Sequence, residues 1–252
     1  MIHISLKAEE LFHIGSFPIT NSLLVALLVS ITLIALALSA RRKFALIPHT
    51  IQNLTEFTLE EILSLMDSVL SERRKSEKYL PLVATIFVFV LFSNWFGLLP
   101  IVGSLGLNLI HGTETEFVPL LRAPAADLNF TLAIALIAVI TINIFALFAL
   151  GPKLHITKFF NFSNPINFFI GILELVSEIA KIVSFSFRLF GNVFAGEVLL
   201  IIIGFLVPYV VPLPFLFLEI FVGFIQAFVF AMLALVFVAI ATVEHSAESH
   251  AH

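Results

Sequence analysis

Long apolar runs separated by short polar segments make up most of the chain. Five of these runs reach the length of about 20 residues that a helix needs to cross the hydrocarbon core of a bilayer. They cover residues 19–40, 79–99, 127–150, 165–207 and 214–243. The pattern predicts an all-α polytopic membrane protein, a single membrane domain over residues 1–252 with about five membrane helices.

The first run ends at a basic triplet, residues 41–43. A cleaved signal peptide is the alternative interpretation, since small residues precede the triplet. However, the run is longer than the apolar part of an ordinary signal peptide, and its N-terminal flank carries Glu9 and Glu10. A membrane helix is therefore favoured.

The polar segment 48–78 has a helical periodicity of its own. Apolar residues recur at three- and four-residue spacing, and Thr58 and Glu61 fit a capping box. This pattern predicts one amphipathic helix that lies at the membrane interface or against a partner. We expect it to end in the charged stretch from Glu72 to Lys78.

The basic residues predict the orientation of the chain. With five spans, Lys7 and Arg122 fall on one side of the membrane, and the positive-inside rule makes this side the outer one. The N-terminal segment 1–18 and the loop 100–126 are then outside, while segment 48–78, the basic loop 151–158 and the tail 244–252 are inside. The inner basic residues are Arg41, Arg42, Lys43, Arg73, Arg74, Lys75, Lys78, Lys153 and Lys158.

The last two runs are too long to cross a membrane upright. A continuous helix over residues 171–207 extends about 55 Å, against a hydrocarbon core of about 30 Å. The final run, at about 45 Å, has the same problem in milder form. Because only residues 208–214 separate the two runs, we predict two strongly tilted helices that pack as a hairpin.

Composition excludes several other classes of protein. Hydrophobic residues make up 60% of the 252 positions and charged residues 12%, with a net charge of −4. No basic cluster with interleaved aromatic residues indicates nucleic-acid binding. The chain has no cysteine, and its eight histidines lie outside the apolar runs without a metal-binding spacing, so we expect no metal and no cofactor.

Polar residues form a stripe along the fourth run. At about 100° per residue, six of them fall within roughly 40° of one line, with Glu178 farther out on the same side. Glu197 lies about 180° away from Arg188. One interpretation of the inner part of the stripe is structural, an ion pair of Glu174 or Glu178 with Lys181 that fixes helix packing. The six residues are Glu174, Ser177, Lys181, Ser184, Arg188 and Asn192.

Arg188 needs a different explanation. Inserting an arginine at the membrane centre costs roughly 2.5–3.5 kcal/mol, and no carboxylate lies three or four residues away in the sequence. A guanidinium stays protonated, so Arg188 is a fixed positive charge, whereas Glu197 and Glu219 can take up and release protons. Glu219 shares a helix face with Gln226. This combination predicts a proton path with an electrostatic barrier, whose counter-charge comes from another chain.

At this point the residues resemble a known family, the a subunit of the membrane sector of F-type ATP synthases. The motifs are Ser186 to Asn192 (SFRLFGN) followed by Ala195-Gly196-Glu197, Pro124 to Asn129 (PAADLN), and Gln226 to Phe230 (QAFVF). The resemblance covers nearly the whole chain. The N-terminal fifth and the tail are the parts least diagnostic of the family.

The resemblance implies a function and partners. The a subunit is a non-catalytic stator that lies against a rotating ring of c subunits, each with a membrane-buried carboxylate, and is held by the b-subunit peripheral stalk. Two aqueous half-channels carry protons to and from the ring. Their operation couples proton flow to ATP synthesis in an energy-coupling membrane, here a bacterial plasma membrane. The two long helices of the family lie strongly tilted.

By position in the motifs, Arg188 matches the arginine that stands between the half-channels. Asn192 and Gln226 match its polar neighbours, Glu197 and Glu219 match proton-relay positions, and Asp127 and Asn129 match the lining of the outer half-channel. Some relatives carry histidine where this chain has Glu219. The resulting acid pair is the departure to note, because two nearby carboxylates repel.

Other functions fit the residues less well. A secondary transporter of a small solute predicts internal repeats with broken helices in two halves, which the sequence lacks. An intramembrane enzyme needs a serine–histidine pair, paired aspartates or a metal motif, and none is found. A membrane scaffold leaves Arg188 unexplained.

Overall fold

The computed structural model describes residues 8–41, 50–111, 114–159, 164–208 and 210–243. Six helices in these ranges have 21 residues or more, and a seventh is short. Five of the six are long and apolar enough to cross a membrane, which confirms the predicted fold class. The helices are α1 (Asn21–Arg41), α2 (Thr50–Leu70), α3 (Arg73–Gly97), α4 (Leu128–Leu150), α5 (Pro152–Phe159), α6 (Pro165–Leu206) and α7 (Pro212–Val243).

Two antiparallel β-hairpins interrupt the helical pattern, and the sequence did not predict them. Strands β1 (Glu10–Ile14) and β2 (Phe17–Thr20) pair just before α1, and β3 (Gly106–His111) pairs with β4 (Glu114–Pro119) between α3 and α4. Gly15 takes φ 65° in the two-residue turn of the first hairpin, a backbone conformation that favours glycine. Both hairpins lie in segments expected on the outer side.

The segment predicted as one amphipathic helix over 48–78 is divided in the structure. The helix α2 ends at Leu70, Ser71 takes φ 57°, and the charged residues from Arg73 onward form the first turns of α3. Arg73 pairs with Asp67 across this corner at 2.9 Å. The Ser76 hydroxyl and the Arg73 guanidinium hold the pKa of Asp67 below its ordinary value. Charge pairing therefore fixes a corner where the sequence pattern suggested a continuous helix.

The polar segment 151–158 also differs from its prediction as a loop, because it forms the short helix α5. The tail 244–252, the basic residues Arg42 and Lys43 and position 209 of the α6–α7 connection lie outside the described residues.

Helices α3, α4, α6 and α7 form the core of the protein. The side chains of Val90, Ala135, Leu189 and Leu235, one from each helix, are fully buried. Much of the remaining surface of these helices is apolar and exposed, as expected where lipid replaces water.

The helices α6 and α7 run antiparallel, which confirms the predicted hairpin. Successively earlier residues of α6 contact successively later residues of α7. The contacting pairs are Asn192 with Gln226, Phe185 with Phe230, and Lys181 with Phe237. The helix α6 is continuous over 42 residues, about 63 Å by its rise. An unbroken helix of this length fits a bilayer only when it is strongly tilted.

Candidate functional site

Arg188 lies on the exposed face of α6, pointing away from the four-helix core. Its Nη2 donates to the hydroxyl of Ser184 at 3.2 Å, one turn earlier. No carboxylate of the described residues forms an ion pair with it. The helix therefore presents a fixed cation on its outer surface, where a second protein can reach it.

Asn192 and Gln226 lie together, as the motifs suggested. The Asn192 amide donates to Gln226 Oε1 at 2.6 Å, which links α6 to α7 one turn beyond Arg188. Gln226 is 4% exposed, and its Nε2 is buried without a partner among the described residues. The pair brings a spare hydrogen-bond donor close to the face that carries Arg188.

Glu197 and Glu219 line one cavity of about 560 Å³. Its walls are the C-terminal end of α3, the segment that follows α3, the C-terminal part of α6 and the first turns of α7. Asn94 and Gly223 contribute to the same lining. The cavity is separate from the Arg188 face, because Glu197 projects from the opposite side of α6, as helical phasing predicted.

Glu219 lies directly against the backbone of α6. A Cβ atom added at Gly196 would overlap all three atoms of the Glu219 carboxyl group. Glu219 is 9% exposed. The absence of a side chain at Gly196 is what allows the carboxyl group into this position.

Arg122 is a functional candidate that the sequence analysis did not select. Its Nε lies 3.9 Å from Glu197 Oε2, and its side chain is 7% exposed. The guanidinium supplies a positive charge beside one member of the acid pair, which reduces the repulsion expected between two carboxylates. One signal was available in the sequence, since Arg122 is one of two basic residues on the predicted outer side.

Asn94 is a second residue that the sequence analysis missed. Its Nδ2 donates to the carbonyl of Gly223 at 2.9 Å, and its Oδ1 is buried without a partner among the described residues. The neighbouring Trp95 donates to the carbonyl of Ile220 at 3.1 Å. Trp95 therefore links α3 to α7.

Asp127 and Asn129 do not line the cavity that contains Glu197 and Glu219. Asp127 Oδ1 accepts from the backbone N–H of Asn129 at 2.9 Å, so Asp127 is the N-cap of α4. Its Oδ2 accepts from the hydroxyl of Ser22 at 2.5 Å. Asp127 is buried and the side chain of Asn129 is exposed, and neither lines the 560 Å³ cavity.

The inner part of the polar stripe contains the ion pair that the sequence suggested. Lys181 Nζ lies 2.7 Å from Glu178 Oε1, and Glu178 Oε2 accepts from Asn143 of α4 at 3.1 Å. Glu174 is half-buried one turn earlier, and Ser177 is exposed. Of the two glutamates that the sequence offered as partners of Lys181, Glu178 forms the ion pair in the structure.

Comparison with known proteins shows the family of the chain. The family model described as ATP synthase A chain matches residues 21–239. The chain belongs to this family. ATP synthase subunit a of Moorella thermoacetica is 33% identical over 95% of this chain and 97% of its own length. Those of Campylobacter jejuni subsp. doylei and Campylobacter fetus are 36% and 34% identical, over 92% and 96% of this chain and 89% and 98% of their own lengths.

Membership of the ATP synthase A chain family gives the function of the chain. Subunit a is the stator, proton-conducting subunit of the complex and is not its catalytic part. It is a multi-pass membrane protein, in agreement with the five membrane-length helices. The matched residues 21–239 include every polar residue described above at the cavity and along α6.

Proposed function

We propose that the cavity containing Glu197 and Glu219 belongs to the outer half-channel, through which protons reach the rotor. The single observation that carries this proposal is the joint presence of both acids in one cavity of about 560 Å³. Two carboxyl groups that exchange protons, with room for water beside them, make a relay. Both acids would then serve the same half-channel.

The position of the cavity supports the outer side. It lies where α3 ends, α6 approaches its end and α7 begins, next to residues 100–104. The N-terminus of the chain is on the same side, by the number of spans. Because most basic residues fall at the opposite end, the positive-inside rule assigns the cavity to the outside. The inner half-channel would follow the exposed face of α6 past Ser177 to Glu174.

The partner of Arg188 in this proposal is a carboxylate of the c-subunit ring. The exposure of Arg188 and its lack of a carboxylate partner among the described residues support this role. A passing carboxylate is held ionised beside the guanidinium, and protons cannot cross directly between the half-channels because the fixed charge repels them. Asn192, which is exposed, would orient the carboxylate on arrival, and Gln226 would hold the Asn192 amide in place. The b-subunit stalk would hold the stator, in a bacterial plasma membrane.

Asp127 and Asn129 receive a narrower role than the motif suggested. Each carboxyl oxygen of Asp127 accepts a hydrogen bond, from the Ser22 hydroxyl and from the Asn129 backbone N–H, and the residue is buried. We propose that it fixes the start of α4 beside the outer half-channel, while the proton path runs past Glu197 and Glu219.

The role of Arg188 in this proposal is tested by ATP-driven proton pumping in inverted membrane vesicles that carry Arg188→Ala. Pumping is expected to fall to background, because no fixed cation separates the half-channels. ATP hydrolysis by the soluble sector, after its release from the membrane, serves as the control and should stay at the parent rate. Pumping at a normal rate in this variant would refute the proposal.

A further inference from the structure

Two cations occur on α6, Lys181 and Arg188. They are two helical turns apart, about 10 Å along the axis, and differ by roughly 20° in direction. Both lie on the polar stripe, and Lys181 is on the inner side of Arg188. A ring carboxylate that moves between Arg188 and the inner half-channel therefore passes both residues.

The two cations have different surroundings. Lys181 Nζ lies 2.7 Å from Glu178 Oε1, with its side chain 21% exposed, and 5.0 Å from the centre of the Phe237 ring. No described carboxylate pairs with Arg188. Lys181 is thus neutralised within its own helix, whereas Arg188 keeps its full charge.

Glu178 is held in place from a second direction. Its Oε2 accepts a hydrogen bond from Asn143 of α4 at 3.1 Å, and the same amide donates to the carbonyl of Val139 at 3.0 Å. A carboxylate that is bound at both oxygens has little freedom to leave its partner. The pair is therefore a permanent feature of the α4–α6 contact.

We propose that Glu178 neutralises Lys181 so that Arg188 is the only cation of α6 that attracts the passing ring carboxylate. This inference rests on the proposed function. A bare ammonium two turns from Arg188 would attract the same carboxylate across a medium of low dielectric, where charges interact over about 10 Å. The ring would then be held at a second position, and each step would be slower.

The test uses inverted vesicles that contain the whole complex, with pumping rates divided by the amount of assembled complex on an immunoblot. Glu178→Gln keeps the size of the side chain and removes its charge, and pumping is expected to fall roughly tenfold. Glu178→Gln combined with Lys181→Gln removes both charges and should restore the rate to within about twofold of the parent, because no second cation remains.

Two controls separate charge from packing. Glu178→Asp keeps the charge and should pump near the parent rate. Asn143→Leu removes the hydrogen bond from α4 but leaves the ion pair, and it should also stay near the parent rate. If Glu178→Gln alone does not assemble and the double variant does, the pair is a structural feature of the fold and the proposal fails.

Several outcomes would overturn it. A double variant as slow as Glu178→Gln, or one that fails to assemble, would show that the pair acts as a structural clamp between α4 and α6. Parent-level pumping by Glu178→Gln would show that Lys181 does not compete with Arg188. Either result leaves the role of Arg188 intact, whereas pumping by Arg188→Ala would refute the proposed function itself.

Discussion

At the scale of single residues, Glu197 and Glu219 line one cavity but have different neighbours. Glu197 faces the buried guanidinium of Arg122 at 3.9 Å, while Glu219 packs against the backbone at Gly196. A nearby cation stabilises an ionised carboxylate. The two acids are therefore chemically unequal, as successive members of a relay need to be.

Arg122→Gln tests whether the positive charge of Arg122 makes Glu197 and Glu219 chemically unequal. The change removes the positive charge beside Glu197, so the two acids repel more strongly, and we expect ATP-driven pumping to fall roughly tenfold. Arg122→Lys is the matched control, because it keeps the charge, and it should recover most of the rate. If Arg122→Gln pumps like the parent while Glu197→Gln is slow, the guanidinium has no part in proton transfer.

At the scale of helices, one glycine of α6 sets the position of the Glu219 carboxyl group of α7. Gly196 faces the Glu219 carboxyl group so closely that a methyl group has no room, whereas Gly204 of the same helix has no atom within 4 Å of an added Cβ. The side chain of Glu219 is flexible, so its carboxyl group will move before the helices separate.

Gly196→Ala should therefore assemble normally but pump several-fold more slowly, because it displaces Glu219 from the cavity. Gly204→Ala provides the matched control on α6 and should assemble and pump like the parent. Pumping rate per assembled complex, measured in inverted vesicles, distinguishes the two. Equal rates for both glycine variants would contradict the assigned position of Glu219.

The six long helices could be predicted from the sequence because each rests on a local pattern, whereas α5 was expected to be a loop. Apolar runs of membrane length fix five helices, and the Asp127 N-cap fixes the start of α4. The corner at Ser71 and the strand pairing of the hairpins depend on contacts that periodicity does not encode.

The site was predictable only in part. The phasing of α6 placed Arg188 and Glu197 on opposite faces, and the structure agrees. The contact of Arg122 with Glu197 joins residues far apart in the chain, as does that of Asn94 with Gly223, and no helical rule relates them. The hydrogen bond of Ser22 to Asp127 likewise joins residues far apart in the chain and is not visible in the sequence.

At the scale of the whole molecule, the proposed function requires one orientation in the membrane. The chain has no cysteine, so a single introduced thiol reports its own side without background. Ser104, beside the cavity, and Thr157, on α5, are both exposed and lie at opposite ends of the bundle.

In intact cells, a membrane-impermeant maleimide should label Ser104→Cys but not Thr157→Cys, and inverted vesicles should give the reverse. This result follows because the basic residues assign the Thr157 end to the inside. Labelling of Thr157→Cys in intact cells would place the cavity on the inner side instead.

The central claim, that the Arg188 face of α6 lies against the rotor, is tested most directly by disulfide cross-linking to a c subunit with one cysteine beside its carboxylate. Ser184→Cys and Ala195→Cys lie on the exposed face with Arg188, and Val193→Cys, which is 8% exposed, is the control. We predict cross-linked product with Ser184→Cys and Ala195→Cys and none with Val193→Cys. Product with Val193→Cys alone, or with none of the three positions, would contradict the account.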